Sequence, residues 1–175
     1  GIWVNEYLQT SHPDIYAVGD AIEFANPVTG QSMNTYLAGP ANKQGRIAAN
    51  NIVLGNKHLY NGSINTAIVK VFDMTVATAG TASKHLKMAG INHIVSTNHS
   101  GSHAGYYPGA KQMTIQIAFS PENGRLYSAQ IAGYDGVDKR IDILASVIKN
   151  KGTIYDLTEF EHAYAPPYSS AKDPV

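Results

Sequence analysis

Several short segments carry side chains whose types and spacing could do chemistry, and two of them supply tyrosines. One is Tyr106-Tyr107-Pro108-Gly109-Ala110, and the other is the last stretch of the sequence, from Tyr164 to Val175. A tyrosine hydroxyl can donate a hydrogen bond or a proton to a leaving group. Without context, the simpler interpretation is that Tyr106 packs in an interface and that the last stretch is a disordered tail or a proline-rich ligand motif.

The last stretch also contains two adjacent prolines and a lysine. Pro166 and Pro167 restrict the backbone to extended conformations, which predicts a stiff, irregular strip carrying Tyr164, Tyr168 and Lys172. The ammonium group of a lysine is suited to phosphate or pyrophosphate as a point charge.

A third segment ends in a glycine followed by a carboxylate. Ile15 to Val18 is a short apolar run that predicts a strand, and Gly19-Asp20 follows directly. Glycine lets the backbone approach a ligand closely, and the Asp20 carboxylate can accept hydrogen bonds from sugar or polyol hydroxyls. A plain turn after a strand is the alternative.

A fourth segment, Leu37-Ala38-Gly39-Pro40, consists of small residues leading into a predicted helix from Pro40 to Leu54. Proline suits a first helical position, and Gly55 is placed to cap the C-terminus. The free N–H groups and the dipole at a helix N-terminus favour negative charge. A structural helix with glycine chosen for packing is the alternative.

His93, His99 and His103 lie close in sequence, but their spacing matches no strong metal-binding motif and no acidic cluster adjoins them. We therefore expect no metal.

The remaining pattern predicts strands with interspersed helices. Met113 to Phe119 alternates apolar and polar residues, and Glu122-Asn123-Gly124 predicts a hairpin turn. Further strands are predicted at 67–72, 75–79, 91–96 and 127–131, with helices at 83–89 and 141–148. This is an α+β fold, an antiparallel sheet with flanking helices.

Composition limits the function. The formal net charge of the 175 residues is zero and no apolar run is long enough for a membrane span, so we expect neither a nucleic-acid nor a membrane partner. The absence of cysteine agrees with a cytoplasmic location. Composition changes between Gly55 and Gly62, which predicts two domains, 1–56 and 57–175.

Taken together, these motifs resemble the pyridine nucleotide-disulfide oxidoreductases, specifically their coenzyme A-disulfide reductase and NADH oxidase branch. Tyr16-Ala17-Val18-Gly19-Asp20 is similar to the second FAD-binding motif of that family. The resemblance implies FAD contacts from Gly19, Asp20, Leu37, Ala38 and Pro40, with the helix near the flavin pyrimidine ring. It also implies that Asn42 contacts coenzyme A.

The last stretch resembles the C-terminal signature of the same branch. The resemblance implies a homodimer in which Tyr106 and Tyr164 cross to the partner's active site as catalytic residues, while Lys172 binds coenzyme A. NAD(P)H would be the co-substrate, and coenzyme A disulfide or persulfide the substrate.

No Gly-x-Gly-x-x-Gly fingerprint and no redox cysteine occur in the sequence. We therefore expect residues 1–56 to be the end of an FAD-binding α/β domain and 57–175 to be a dimerisation domain, a C-terminal part that is inactive alone. The alternatives are an NADH oxidase or NADH peroxidase of the same family, or a non-catalytic dimerisation or interaction module.

Overall fold

A computed structural model describes all residues from Gly1 to Val175 and divides the chain into two compact units. The first is Gly1–Asn65 and the second is Thr66–Val175. This division falls after the predicted boundary at residue 56. The reason is that Tyr60 is buried in the core of the first unit, where its ring meets that of Phe24 edge-on.

The first unit is a small three-stranded sheet with one long helix. Strand β2 (Ile22–Ala25) pairs in parallel with β1 (Ile2–Trp3) and antiparallel with β3 (Ser32–Met33). Helix α1 spans Ala38–Leu54 and ends at Gly55, whose left-handed conformation confirms the predicted cap. The core consists of apolar side chains from the strands, the helix and the loops, namely Val4, Leu8, Ile22, Phe24, Ala48 and Tyr60.

Two details of the first unit differ from prediction. The strand predicted at Ile15 to Val18 is wrong, because only Tyr16 forms a bridge, with Gln9. Leu8 turns the chain in the left-handed region (φ 67°), so this segment is held by single hydrogen bonds and no ladder forms. Helix α1 begins at Ala38, so Pro40 is the third helical residue instead of the first. Its missing N–H is still tolerated there, within the first turn.

The second unit is a five-stranded antiparallel sheet with flanking helices, which confirms the predicted α+β class. The strand order is β4-β5-β8-β7-β6. The strands are β4 (Ala67–Val71), β5 (Met74–Gly80), β6 (Ile94–Gly101), β7 (Gln112–Phe119) and β8 (Leu126–Gly133); the helices are α2 (Ser83–Met88), α3 (Val137–Lys149) and α4 (Ile154–Thr158).

Helix α3 packs on β5 and β8 through the apolar stripe that the sequence predicts. Ile141, Leu144 and Ile148 are buried, as predicted, and Ile131 of β8 is buried beneath the helix layer. The alternation along β7 holds from Met113 to Gln116, where Met113 and Ile115 are buried. It then breaks, because Ile117 is only partly buried whereas Ala118 is buried. The register against β8 shifts after this point, between Ala118 and Phe119, and Phe119 is partly buried.

Two elements were misplaced or missed by the sequence pattern. The strand predicted at 91–96 begins at Ile94 and continues to Gly101. Ile91 instead closes the end of α2, since its N–H donates to the Leu86 carbonyl. Helix α4 was not predicted; its N-cap residue is Thr153, which forms a capping box with Asp156. None of the helices has the length and apolar character required to cross a membrane.

Candidate functional site

The Gly19-Asp20 segment forms a single 3-10 turn (Gly19–Ala21) beside helix α1. The N–H of Gly19 donates to Oε1 of Gln44 (2.7 Å), and Nε2 of Gln44 donates to the Tyr60 hydroxyl (2.8 Å). Gln44 is buried. Burial raises the pKa of the Tyr60 hydroxyl, and the hydrogen bond from Gln44 lowers it by a smaller amount. This buried bridge fixes the turn and leaves the Asp20 carboxylate exposed to solvent.

The N-terminus of α1 is open. Leu37, the N-cap residue, makes no side-chain cap, and the first turn contains no acidic residue. Ala38 and Gly39 are exposed, and a Cβ added at Gly39 would meet nothing within 4 Å. Asn42, also exposed, donates from Nδ2 to the Ala38 carbonyl (3.0 Å).

These features fit the predicted flavin site within the first unit. The free N–H groups of α1 can face the negative charge of a reduced pyrimidine ring, and a carboxylate at Asp20 can accept hydrogen bonds from a polyol chain. Gly19 adopts a positive φ (80°) with open space where a side chain would stand, so a ligand can approach its backbone. The roles assigned to Gly19, Asp20, Leu37, Ala38 and Pro40 stay predictions.

In the second unit the structure brings together the two tyrosines that the sequence singled out. The hydroxyl oxygens of Tyr106 and Tyr164 lie 3.1 Å apart, and both side chains are exposed. The hydrogen bond to Tyr164 raises the pKa of the Tyr106 hydroxyl, with smaller contributions from desolvation and from the charge of an ionised Tyr164. A hydrogen-bonded hydroxyl pair at the surface can donate to a group placed against it.

The Pro166-Pro167 segment is a turn, so the prediction of an extended strip is wrong. The N–H groups of Tyr168 (2.9 Å) and Ser169 (3.2 Å) both donate to the Ala165 carbonyl. Prolines at the first positions of a turn explain this outcome, since their φ suits a turn as well as an extended chain. Ser169 is then completely buried, and its carbonyl accepts a hydrogen bond from the N–H of Ala104 (3.0 Å).

A buried ion pair ties the end of the chain to helix α3. Arg140 is 0% exposed, and its Nε and Nη2 donate to the two carboxylate oxygens of Asp173 at 3.1 and 2.8 Å. Nη2 also donates to the Ser102 carbonyl (3.0 Å), and Nη1 donates to the Gly136 carbonyl (3.1 Å). We call this arrangement the Arg140–Asp173 clasp.

The carboxylate of Asp173 has further partners. It accepts hydrogen bonds from the Ser169 hydroxyl and from the N–H of Val175 (3.1 Å), and the ring of His162 lies 3.8 Å away. Burial alone would raise the pKa of Asp173, but the hydrogen bonds from Arg140, Ser169 and Val175 together with the charge of Arg140 lower it. Asp173 is therefore held as a carboxylate.

The clasp was missed by the sequence analysis, although one signal was present. Arg140 falls within the apolar stripe formed by Val137, Ile141 and Leu144, where a charged residue is unusual unless it is paired. Its partner is 33 residues away, so no local pattern identifies Asp173.

Lys172 lies beside the clasp with its side chain exposed. A cavity of about 310 Å³ adjoins Tyr164 and is lined by Lys139, Ala163, Tyr164, Ala165 and Tyr168. Nζ of Lys139 donates to the Ala163 carbonyl (3.2 Å), which holds the backbone just before Tyr164.

The three histidines point to different partners. His93 bonds to Ser83 (2.7 Å) and to the Ile91 carbonyl (2.8 Å), and His99 bonds to Thr114 (2.9 Å). His103 bonds to the Ala104 carbonyl (3.2 Å). No group of three or more His, Cys, Asp or Glu side chains in the structure is arranged to hold a metal ion.

The fold of the second unit belongs to a known class of redox enzyme domain. Residues 66–174 match the family model described as pyridine nucleotide-disulphide oxidoreductase, dimerisation domain. The chain therefore belongs to the pyridine nucleotide-disulphide oxidoreductase family.

Three relatives show which members of this family the chain resembles. Coenzyme A disulfide reductase of Staphylococcus haemolyticus is 40% identical, over 98% of this chain and 39% of its own length. The crystal structure of reduced Bacillus anthracis CoADR-RHD is 50% identical with a TM-score of 0.95, covering 99% of this chain and 31% of that one. An NAD-dependent persulfide reductase from A. fulgidus is 40% identical with a TM-score of 0.94, covering 99% and 32%. The chain thus spans about a third to two fifths of the length of these relatives.

Proposed function

We propose that the complete protein carrying this chain is an FAD-dependent NAD(P)H:disulfide oxidoreductase acting on coenzyme A disulfide, or on a coenzyme A persulfide or polysulfide. The observation that carries the proposal is the Tyr106–Tyr164 hydroxyl pair, 3.1 Å apart at the surface of a disulphide-oxidoreductase dimerisation domain. Relatives named as coenzyme A disulfide reductase and persulfide reductase support this choice of substrate.

The first unit would complete the FAD site. Bound FAD would supply the electron transfer between NAD(P)H and a redox thiol. This chain contains no cysteine, so that thiol would not come from its residues. Asp20 would accept hydrogen bonds from hydroxyl groups of the cofactor. Gly19, which has no side chain, would let the cofactor approach its backbone closely. Leu37, Ala38 and Pro40 would present the open helix end to the pyrimidine edge. An anion at a helix terminus is stabilised by about 0.3–1 kcal/mol in exposed settings.

The second unit would supply groups for the substrate. Either hydroxyl of the tyrosine pair can donate a hydrogen bond to a departing thiolate, while its neighbour holds it in place. Lys172, exposed beside the clasp, would bind a phosphate of coenzyme A as a point charge. Asn42, on helix α1 of the first unit, would contact coenzyme A according to the same family resemblance.

Exposed apolar side chains on the sheet support a homodimer. Val69 and Val76 are paired across β4 and β5, and their side chains are 54% and 39% exposed. Phe72 in the turn between these strands is 95% exposed, and Val95 on the opposite edge strand is 42% exposed. Such surfaces on a single chain are typical of an interface. Tyr106 and Tyr164 would act in trans, on the active site of the partner.

The proposal is tested on the complete protein, purified with its flavin. We expect NAD(P)H oxidation with coenzyme A disulfide to exceed that with O₂ or H₂O₂, and Tyr164→Phe to slow disulfide reduction by about 100-fold while FAD stays bound. Preferred turnover of O₂ or H₂O₂ would instead identify an NADH oxidase or NADH peroxidase. A disulfide reductase with unchanged turnover in Tyr164→Phe would remove Tyr164 from the mechanism.

The chain of 175 residues provides a second test. We expect it to form a dimer in a sizing experiment and to show no NAD(P)H oxidation with coenzyme A disulfide, because it contains neither a Gly-x-Gly-x-x-Gly nucleotide fingerprint nor a cysteine for thiol-disulfide exchange. A complete protein without bound flavin and without NAD(P)H oxidation would instead support a non-catalytic dimerisation module. A cytoplasmic location stays the prediction made from the sequence.

A further inference from the structure

We propose that Arg140 and Asp173 are positioning residues. They would hold together the two backbone segments that carry Tyr106 and Tyr164, without touching substrate or cofactor. This inference rests on the proposed function, since the position of the pair affects turnover only if the tyrosines take part in it. Neither residue was among the sites predicted from the sequence.

The geometry of the clasp carries the inference. One nitrogen, Nη2 of Arg140, donates both to the Ser102 carbonyl (3.0 Å) and to the Asp173 carboxylate (2.8 Å). Ser102 begins the loop that carries Tyr106, and Asp173 belongs to the segment that carries Tyr164. A single guanidinium group therefore joins the two segments that hold the hydroxyl pair.

A second contact joins the same two segments. The Ser169 hydroxyl donates to Asp173, and the Ser169 carbonyl accepts from the N–H of Ala104 (3.0 Å). Tyr106 lies outside the strands and Tyr164 outside the helices, in stretches of irregular backbone. No ladder of backbone hydrogen bonds fixes either tyrosine, so their relative position depends on these contacts, together with the hydrogen bond from Lys139 to the Ala163 carbonyl.

The chemistry of the pair also favours a positioning role. The guanidinium fork binds both carboxylate oxygens in a fixed plane, which a lysine cannot reproduce. The Arg140 side chain is 0% exposed and that of Asp173 is 4% exposed. Burying an ion pair gains little net stability over apolar side chains, so we infer that the role of this pair is its fixed geometry. Gly136, beside the guanidinium, lacks the Cβ that would collide with Nη1 of Arg140.

The experiment measures the tyrosine pair directly, in the complete flavin-loaded protein labelled with ¹³C at the tyrosine ring. The signal of Tyr106 is assigned with Tyr106→Phe, and its titration is followed in Asp173→Asn and Arg140→Lys. We expect the pKa of Tyr106 to fall toward the value found in Tyr164→Phe, because the hydroxyl partner moves away. We also expect kcat to fall by about 10- to 100-fold with flavin content unchanged, as small misplacements of a catalytic group cost this much.

Asp156→Asn is the matched control, because it removes a carboxylate from the α4 capping box and leaves the clasp intact. It should lower stability without moving the Tyr106 titration or kcat. If Asp173→Asn and Arg140→Lys fail to fold, Ser169→Ala removes one hydrogen bond to Asp173 and should shift both readouts in the same direction.

The outcomes separate the two proposals. An unchanged Tyr106 titration in all clasp variants overturns the positioning role. A shifted titration with normal turnover, in both the clasp variants and Tyr164→Phe, would uphold the positioning geometry and overturn the proposed function of the tyrosines. Non-additive losses of turnover in Asp173→Asn combined with Tyr164→Phe would support both.

Discussion

The hydroxyl oxygens of Tyr106 and Tyr164 lie 3.1 Å apart although 58 residues separate them in sequence. Neither tyrosine is on a strand or a helix, and both are largely exposed. Two flexible side chains at a surface do not keep such a distance unless the backbone on each side is fixed. The Arg140–Asp173 clasp and the Ser169–Ala104 hydrogen bond provide that support behind the pair.

The hydrogen bond between the two tyrosines has a measurable consequence for acidity. Tyr164→Phe should lower the pKa of Tyr106 toward its ordinary value near 10, because the bond that stabilises the neutral hydroxyl is lost. Ionisation of Tyr106 would then begin at lower pH than in the unchanged protein. NMR titration of ¹³C-labelled tyrosine checks this. Tyr168→Phe, which removes another exposed hydroxyl of the same segment, should leave the Tyr106 titration in place.

Lys172 is expected to act on substrate binding and not on the chemical step. Lys172→Ala should raise KM for coenzyme A disulfide by about tenfold, the effect of one charge-assisted contact, with kcat unchanged. Steady-state kinetics of the complete protein separates the two constants. Lys84→Ala, an exposed lysine of helix α2, is the control and should alter neither. A fall in kcat alone would contradict the assignment of Lys172 to binding.

Local patterns predicted most of the second unit, because its elements follow from side-chain periodicity. The alternation from Met113 to Ile117 and the stripe from Ile141 to Ile148 each describe a surface that has one buried face. The pattern failed where a contact distant in sequence decided the outcome. The bounds of strand β6 are determined by its pairing with β7. The N–H of Ile91 instead donates to the Leu86 carbonyl at the end of helix α2.

The residues of the candidate site likewise divide into those that the sequence predicted and those that it did not. Tyr106, Tyr164 and Lys172 were predicted because their motifs resemble a known family, and no property of the isolated residues would have paired the two tyrosines. Arg140 and Asp173 join a helix to a segment 33 residues away, so a single sequence contains no signal for that contact. The extended conformation predicted for Pro166-Pro167 was wrong, since a proline φ fits both a turn and an extended chain.

The proposed flavin site contains a buried glutamine, Gln44, beside the turn at Gly19. Gln44→Leu should weaken FAD retention by about tenfold, because the Gly19 N–H and the Tyr60 hydroxyl both lose their partner, at about 1–3 kcal/mol for each buried group. Flavin release from the complete protein, followed by absorbance during dialysis, checks this. Tyr60→Phe keeps the Gly19 contact and should retain more flavin than Gln44→Leu. Equal loss of flavin in both variants would show that the hydrogen bond between Gly19 and Gln44 does not control FAD retention.

Gly80 closes strand β5 where no side chain fits. Its φ is 80°, and an added Cβ would overlap the carbonyl oxygen of Tyr127. Gly80→Ala should lower the free energy of unfolding by about 3 kcal/mol or more, since strain and steric overlap add. Gly90→Ala is the matched control, because its φ is similar (70°) and nothing lies within 4 Å of the added Cβ. Strain alone should cost Gly90→Ala about 1 kcal/mol in a urea titration.

The clasp also predicts how stability depends on pH. The pKa of Asp173 is held below its unfolded value of 3.8, so its contribution to stability is complete above that value and is lost as the pH falls through the folded pKa. Arg140 Nη2 lies 2.8 Å from the Asp173 carboxylate, and the His162 ring lies 3.8 Å from it. As the pH falls below about 4, the free energy of unfolding should therefore fall more steeply in the unchanged protein than in Asp173→Asn. Urea titrations at several pH values measure both slopes, and His162→Gln tests whether the histidine contributes. If the free energy of unfolding falls with equal slope in Asp173→Asn and in the unchanged protein, the Arg140–Asp173 pair does not control the loss of stability at low pH.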